Sequence, residues 1–88
     1  MITEKDKSLI IESAKKYDAK YIILFGTSAS DAESNDIDIA VKGVKPENFF
    51  KFYAEIFKRA TKPVDLIDLT EKSAFNALVE KNGIRIYG

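Results

Sequence analysis

Between Asp36 and Leu69 the sequence changes its hydrophobic period twice, and that change does most to restrict the fold. "DIDIAVK", Asp36 to Lys42, alternates carboxylate with aliphatic residues, the period of two expected of a half-buried strand. Gly43 ends the run, and Pro46 stands where the first turn of a helix accepts a proline. Phe49, Phe50, Phe52, Tyr53, Ile56 and Phe57 then recur at helical spacing to about Ala60. Pro63 opens "PVDLIDL", which reads as another strand ending at Thr70. A strand, a helix and a strand in so short a span predict a right-handed crossover and a parallel strand pair.

The flanking segments extend this pattern. Thr3 and Asp6 look like an N-cap pair, and Leu9, Ile10, Ala14 and Tyr17 follow as one face of a helix ending near Asp18. "KYIILF", Lys20 to Phe25, is a short apolar run rich in β-branched and aromatic residues, hence a buried strand. After Thr70, read as an N-cap, Phe75, Leu78 and Val79 supply the apolar positions of a third helix, which stops at a left-handed Asn82-Gly83 cap. "IRIY" closes the chain as a last strand. The order is αββαβαβ, an α/β (α+β) fold with helices packed on a mixed sheet. The 88 residues are expected to form one domain, 1–88.

Composition limits the chemistry more than the fold. The chain has no cysteine and no histidine, so disulfides, thiolate metal sites and the usual general base are excluded. Catalysis would have to run on carboxylates, hydroxyls, lysines or a metal held by oxygen. Fourteen Lys and Arg balance fourteen Asp and Glu, which leaves no overall field to draw in nucleic acid. No apolar run approaches membrane-spanning length and no leader pattern opens the chain, so a cytoplasmic protein without membrane association is expected.

Asp36 and Asp38 share one face of their strand, about 6.6–6.8 Å apart along the backbone. Like charges so placed repel, and burial increases the penalty, so a cation is the natural complement. Hard oxygen ligands suit Mg²⁺, which takes one or two carboxylates and completes its shell with water and phosphates. A third carboxylate from a neighbouring strand would give the set used for in-line phosphoryl or nucleotidyl displacement. Asp65 is that candidate, whereas Asp68, three residues on, falls on the opposite face. Gly26 and Thr27 follow the first strand, where a glycine lets backbone approach a ligand and a hydroxyl can hold a phosphate oxygen. A plainer reading stands beside this one: Asp36 caps the turn from Asn35, Asp38 and Asp65 are solvent-facing strand charges, and Gly26 is a turn residue.

"LFGTSASDAESNDIDIAV" followed by "PVDLIDL" resembles the nucleotidyltransferase fold of the DNA polymerase β superfamily, in particular its minimal nucleotidyltransferase (MNT) group. The likeness runs from the leading helix to the closing strand. It implies that Asp36 and Asp38 bind Mg²⁺ or Mn²⁺. It further implies that Asp65 binds the catalytic metal and helps activate the acceptor hydroxyl, while Gly26 and Thr27 hold the triphosphate. It also implies ATP as the nucleotide and a helical HEPN-domain protein as partner, with the MNT chain as the antitoxin of a toxin–antitoxin pair that transfers AMP to a partner tyrosine. Three features depart from the group's pattern. Thr27 stands where serine is usual, the connection from Ser28 to Asn35 is short, and it carries Asp31 and Glu33 but none of the arginines often found there. A non-catalytic subunit that neutralises its partner by docking alone is the alternative. A free-standing polymerase or RNA-modifying enzyme fits poorly with the zero net charge.

The second helix carries two apolar stripes, one of Phe49, Phe52, Tyr53 and Ile56 and another of Phe50, Ala54 and Phe57. Together they wrap further than the roughly 100° that covers one core. Either the helix is packed deeply against the sheet, or part of this aromatic surface is exposed and docks a partner, in which case the isolated chain should self-associate and a homo-oligomer is possible. The basic group Lys58, Arg59 and Lys62 reads as a solvated helix end.

Overall fold

Thr3 starts the first helix of the computed structural model, which describes residues 2–26 and 35–88. Its hydroxyl accepts from the Asp6 N–H at 3.2 Å, capping α1 (Glu4–Lys16). The helix runs out two residues before the expected Asp18, which instead takes a left-handed turn conformation with φ 57°. The remaining elements are β1 (Tyr21–Leu24), β2 (Ile37–Lys42), α2 (Pro46–Arg59), β3 (Val64–Asp68), α3 (Ala74–Asn82) and β4 (Ile84–Tyr87). Their order is the predicted αββαβαβ. Pro46 sits in the first turn of α2, where no intrahelical donor is lost.

The four strands form one mixed sheet in the order β3-β2-β1-β4. β1 runs antiparallel to both β2 and β4, and β2 is parallel to β3 across the α2 crossover. Strand parity then sorts the side chains. Ile22, Leu24, Ile37, Ile39, Val41 and Val64 point to one face and pack with Ile10 and Ala14 of α1 and Phe52 and Ile56 of α2. Ile23, Ala40 and Leu69 point to the other face, where, among the described residues, only Val79 of α3 joins them as a buried partner. The first face is sealed and the second is only partly covered. Among the described residues no helix is long and apolar enough to cross a membrane.

Among the described residues Asp6 is the one buried carboxylate, with 1% of its surface accessible. Besides the Thr3 hydroxyl, it accepts the Thr61 N–H at 3.0 Å and the Thr61 hydroxyl. It thereby ties the start of α1 to the α2–β3 connection. Burial alone would raise its carboxyl pKa, but the bonds from Thr61 and Thr3 outweigh that and hold it below the ordinary 3.8.

The third helix differs from its sequence reading in both caps. Ser73, not Thr70, is the N-cap, accepting from the Asn76 N–H at 3.0 Å. The Thr70 N–H instead bonds Asp68 Oδ1 at 2.9 Å, an Asx turn that ends β3. Gly83 is not left-handed: its φ is −76°. Its role is close approach, because a Cβ there would run into Ile23 Cγ2 and lie 2.7 Å from the Val79 carbonyl oxygen. Gly83→Ala should therefore destabilise the protein by about 1–3 kcal/mol through overpacking, read as a lower denaturant midpoint with an unchanged slope.

The two stripes of α2 part company. Phe52 and Ile56 are fully buried, and Tyr53 donates its hydroxyl to the Val64 carbonyl at 3.1 Å. Phe50 and Phe57 face outward, 79% and 55% exposed. In α3, Phe75 and Leu78 are likewise exposed, so only Val79 fulfils the core role expected of all three.

Candidate active site

Asp38 lies on the partly covered face because its neighbours Ile37 and Ile39 are drawn into the α1–α2 core. Parallel pairing sets Asp65 directly beside it, since Asp38 and Asp65 are register partners. The alignment is fixed by backbone bonds on either side. The Ile37 N–H donates to the Pro63 carbonyl at 2.9 Å and the Phe25 N–H to the Asp38 carbonyl at 3.0 Å. Asp36 stands one residue before β2, exposed, and its charge reaches Asp38.

Gly26 completes this edge from β1. It has φ +65°, and a Cβ on it would lie 2.5 Å from Asp38 Oδ2. Both facts require glycine, the first by backbone conformation and the second by contact with the carboxylate. Thr27, the other residue assigned to phosphate binding, lies outside the described residues, as do Asp31 and Glu33.

Burial pushes the Asp38 carboxyl above its ordinary value, and the charges of Asp65 and then Asp36 push it further. A hydrogen bond with Asp65, made when a proton is held between them, acts in the same direction. A cation held here would offset the repulsion among these charges, and the all-oxygen donor set fits a hard divalent ion. Among the described residues, no group of three or more carboxylates is drawn together tightly enough to hold a metal by itself. Such a shell would have to be completed by water and substrate phosphates, the usual habit of Mg²⁺. Asp68 is elsewhere, exposed at the far end of β3 opposite Val41 and engaged with Thr70.

A cavity of about 290 Å³ adjoins the carboxylates through Gly26, lined also by Phe25, Phe75, Leu78 and Asn82. Phe25 and Phe75 meet edge to face with ring centres 6.0 Å apart. A ligand seated at Gly26 would find an apolar wall here. Helical spacing in α3 predicts Phe75 and Leu78 as core residues, yet both line this cavity. The signal that spacing passes over is Phe25, an aromatic at a strand end immediately before the glycine.

A mixed sheet in this strand order, with two helices sealing one face and carboxylates of parallel neighbours at the strand starts, is a nucleotidyltransferase fold. The chain belongs to the polymerase β nucleotidyltransferase family, whose description, Polymerase beta, Nucleotidyltransferase, matches residues 8–88. Among solved structures, it is similar to the toxin–antitoxin MntA–HepT, with 22% identity over 98% of this chain and 73% of that one and a TM-score of 0.72. It is similar to a toxin–antitoxin with AMP-PNP at 23% identity over 93% and 73% of the two chains, TM-score 0.74. It also resembles a chain of the tri-AMPylated Shewanella oneidensis HEPN toxin in complex with MNT antitoxin, at 22% identity over 94% and 70%, TM-score 0.70. None of the curated proteins matches it significantly.

Proposed function

We propose that this chain is an MNT-type nucleotidyltransferase subunit that moves AMP from ATP, with Mg²⁺ or Mn²⁺, onto a hydroxyl of a HEPN-type protein partner, and so acts as the antitoxin of the pair. The observation that carries the reading is the side-by-side placement of Asp38 and Asp65 against Gly26, in a chain whose family transfers nucleotides. Two similar structures, a toxin–antitoxin with AMP-PNP and an AMPylated HEPN toxin with its MNT antitoxin, support the choice of nucleotide and partner.

In this reading Asp36, Asp38 and Asp65 hold the metal, and Gly26 with Thr27 receives the triphosphate. A bound divalent ion would polarise the α-phosphoryl group and offset the charge that develops in displacement. Asp65, exposed at the outer strand of the pair, accepts the proton of the acceptor hydroxyl. The new acceptor O–P bond forms as the bond between the α- and β-phosphates breaks, and pyrophosphate leaves. Gly26 lets the phosphates come against backbone with no side chain intervening.

The test is transfer of label from α-³²P-ATP onto a co-expressed HEPN partner, with Mg²⁺ and with Mn²⁺. Label on the partner is the expected result. A complex that forms but takes no label from any of the four nucleotides overturns the transferase reading in favour of docking alone. The base-free segment from Ser28 to Asn35, with Asp31 and Glu33, is the observation that favours this second reading.

A further inference from the structure

We propose that the outward face of α2 is a self-complementary surface on which two copies of this chain pair antiparallel. This goes beyond the transfer reading and does not depend on it.

Phe50, Ala54 and Phe57 follow one another at i, i+4 and i+7, a single stripe on the side of α2 away from the sheet. All three are exposed, Phe50 and Phe57 by more than half of their surface. The rings are braced against their own helix: Phe50 meets Phe49 edge to face at 6.4 Å and Phe57 meets Tyr53 at 5.8 Å. Two large braced aromatics on one helix form an exposed apolar patch of the kind that marks an interaction site.

The pattern along the stripe identifies the occupant. It is nearly symmetric about its middle, with a small residue, Ala54, between two phenylalanines. Turned end over end, a second copy of α2 would bring Phe57 against Phe50, Phe50 against Phe57, and the two alanines together, where small side chains let the helices approach. The charges follow the same symmetry. Glu47 and Lys58 are eleven residues apart, so at 3.6 residues per turn they fall within about 20° of the same azimuth and about 16 Å apart along the axis. In an antiparallel pair Glu47 of each copy faces Lys58 of the other, giving two ion pairs on one flank, with Lys51 of each copy on the same flank between them. The other flank, Pro46 and Tyr53, carries no formal charge. Antiparallel helix dipoles add to this, each acidic end meeting a basic one. A pair confined to one 14-residue helix buries less than a standard interface, so the association is weak and concentration-dependent.

Sedimentation equilibrium of the 88-residue chain, from low micromolar to millimolar concentration, tests this. The expected result is an average mass rising from 9.9 kDa toward twice that value. Phe50→Glu and Phe57→Glu should each stay monomeric throughout with an unchanged melting temperature, since neither ring is in the core. Glu47→Lys alone and Lys58→Glu alone should each lower the dimer population at least several-fold, and the double variant should restore it, an exchange that only self-pairing rescues. A wild type monomeric at every concentration overturns the proposal and leaves the stripe to a different protein. A dimer that survives Phe50→Glu, or a double variant no better than the single ones, also overturns it.

Discussion

Asp38→Asn is expected to lose nucleotide transfer and gain stability. The loss should exceed about a hundredfold, the effect that removing a mere supporting partner of a metal ligand already reaches, because Asp38 is proposed to hold the ion directly. The gain follows from the electrostatics of the metal-free site. The carboxylate is partly buried beside Asp65 and Asp36, and its pKa is raised above 3.8, so its charged form is less favourable in the folded chain than in the unfolded one. The asparagine keeps the shape without that charge, and the melting temperature of the metal-free protein at neutral pH should rise by a few degrees. The sign has a pH signature. With the folded value raised, the carboxyl contributes stability when protonated and loses it as pH climbs from 3.8 through the folded value. The wild type should therefore close its gap to Asp38→Asn on acidification across that window. Mg²⁺ should raise the melting temperature of the wild type and leave Asp38→Asn nearly unmoved. A variant that loses transfer and is also less stable than the wild type at neutral pH would contradict this account.

Asp6→Ala is expected to cost about 1.5–3 kcal/mol of stability, the worth of hydrogen bonds to a charged group. For a domain whose total stability is about 5–15 kcal/mol, that is a sizeable share of the whole. The cause is threefold: the Thr3 hydroxyl, the Thr61 N–H and the Thr61 hydroxyl all lose the carboxylate acceptor, itself 1% exposed, that joins them. Asp6→Asn keeps one carbonyl acceptor for the Thr61 N–H and should cost less. Here the pH sign is opposite to that of Asp38. The folded value is depressed below 3.8, so the stabilisation is complete above 3.8 and is lost as pH falls through the folded value. Urea titrations at neutral pH and below pH 3.8 should show the wild type converging on Asp6→Ala only in the acid series.

These two aspartates differ in how far the sequence discloses them. Asp38 is legible because strand parity is a local rule: once Ile37 and Ile39 are taken as core, Asp38 must face the other way, and a parallel crossover brings Asp65 to the same face. The αββαβαβ order is legible for the same reason, since each element carries its own period. Asp6 looks like a helix-cap residue and no more, because its decisive partner, Thr61, is 55 positions away and no spacing rule connects them. The place of β4 beside β1 is equally hidden, as four residues of "IRIY" pair with any free edge. Gly83 announces a helix end but not the reason for it, which is the methyl group of Ile23. The division of α2 into a buried and an exposed stripe depends on how much sheet there is to cover, a property of the assembled fold. The aromatic pattern alone leaves both outcomes open.

The register that sets Asp38 beside Asp65 also bears on which alignment of β3 is stable. If β3 docked on β2 one residue out of step, its parity would reverse. Asp65 would then turn toward Phe52 and Ile56, and Val64 and Leu66 toward water. Burying that charge without a partner costs several kcal/mol, so the misaligned sheet has no stable form in which to linger. The Asp65 carboxylate, one of those that make the finished site electrostatically costly, thus also widens the energy gap between the native register and its nearest rival.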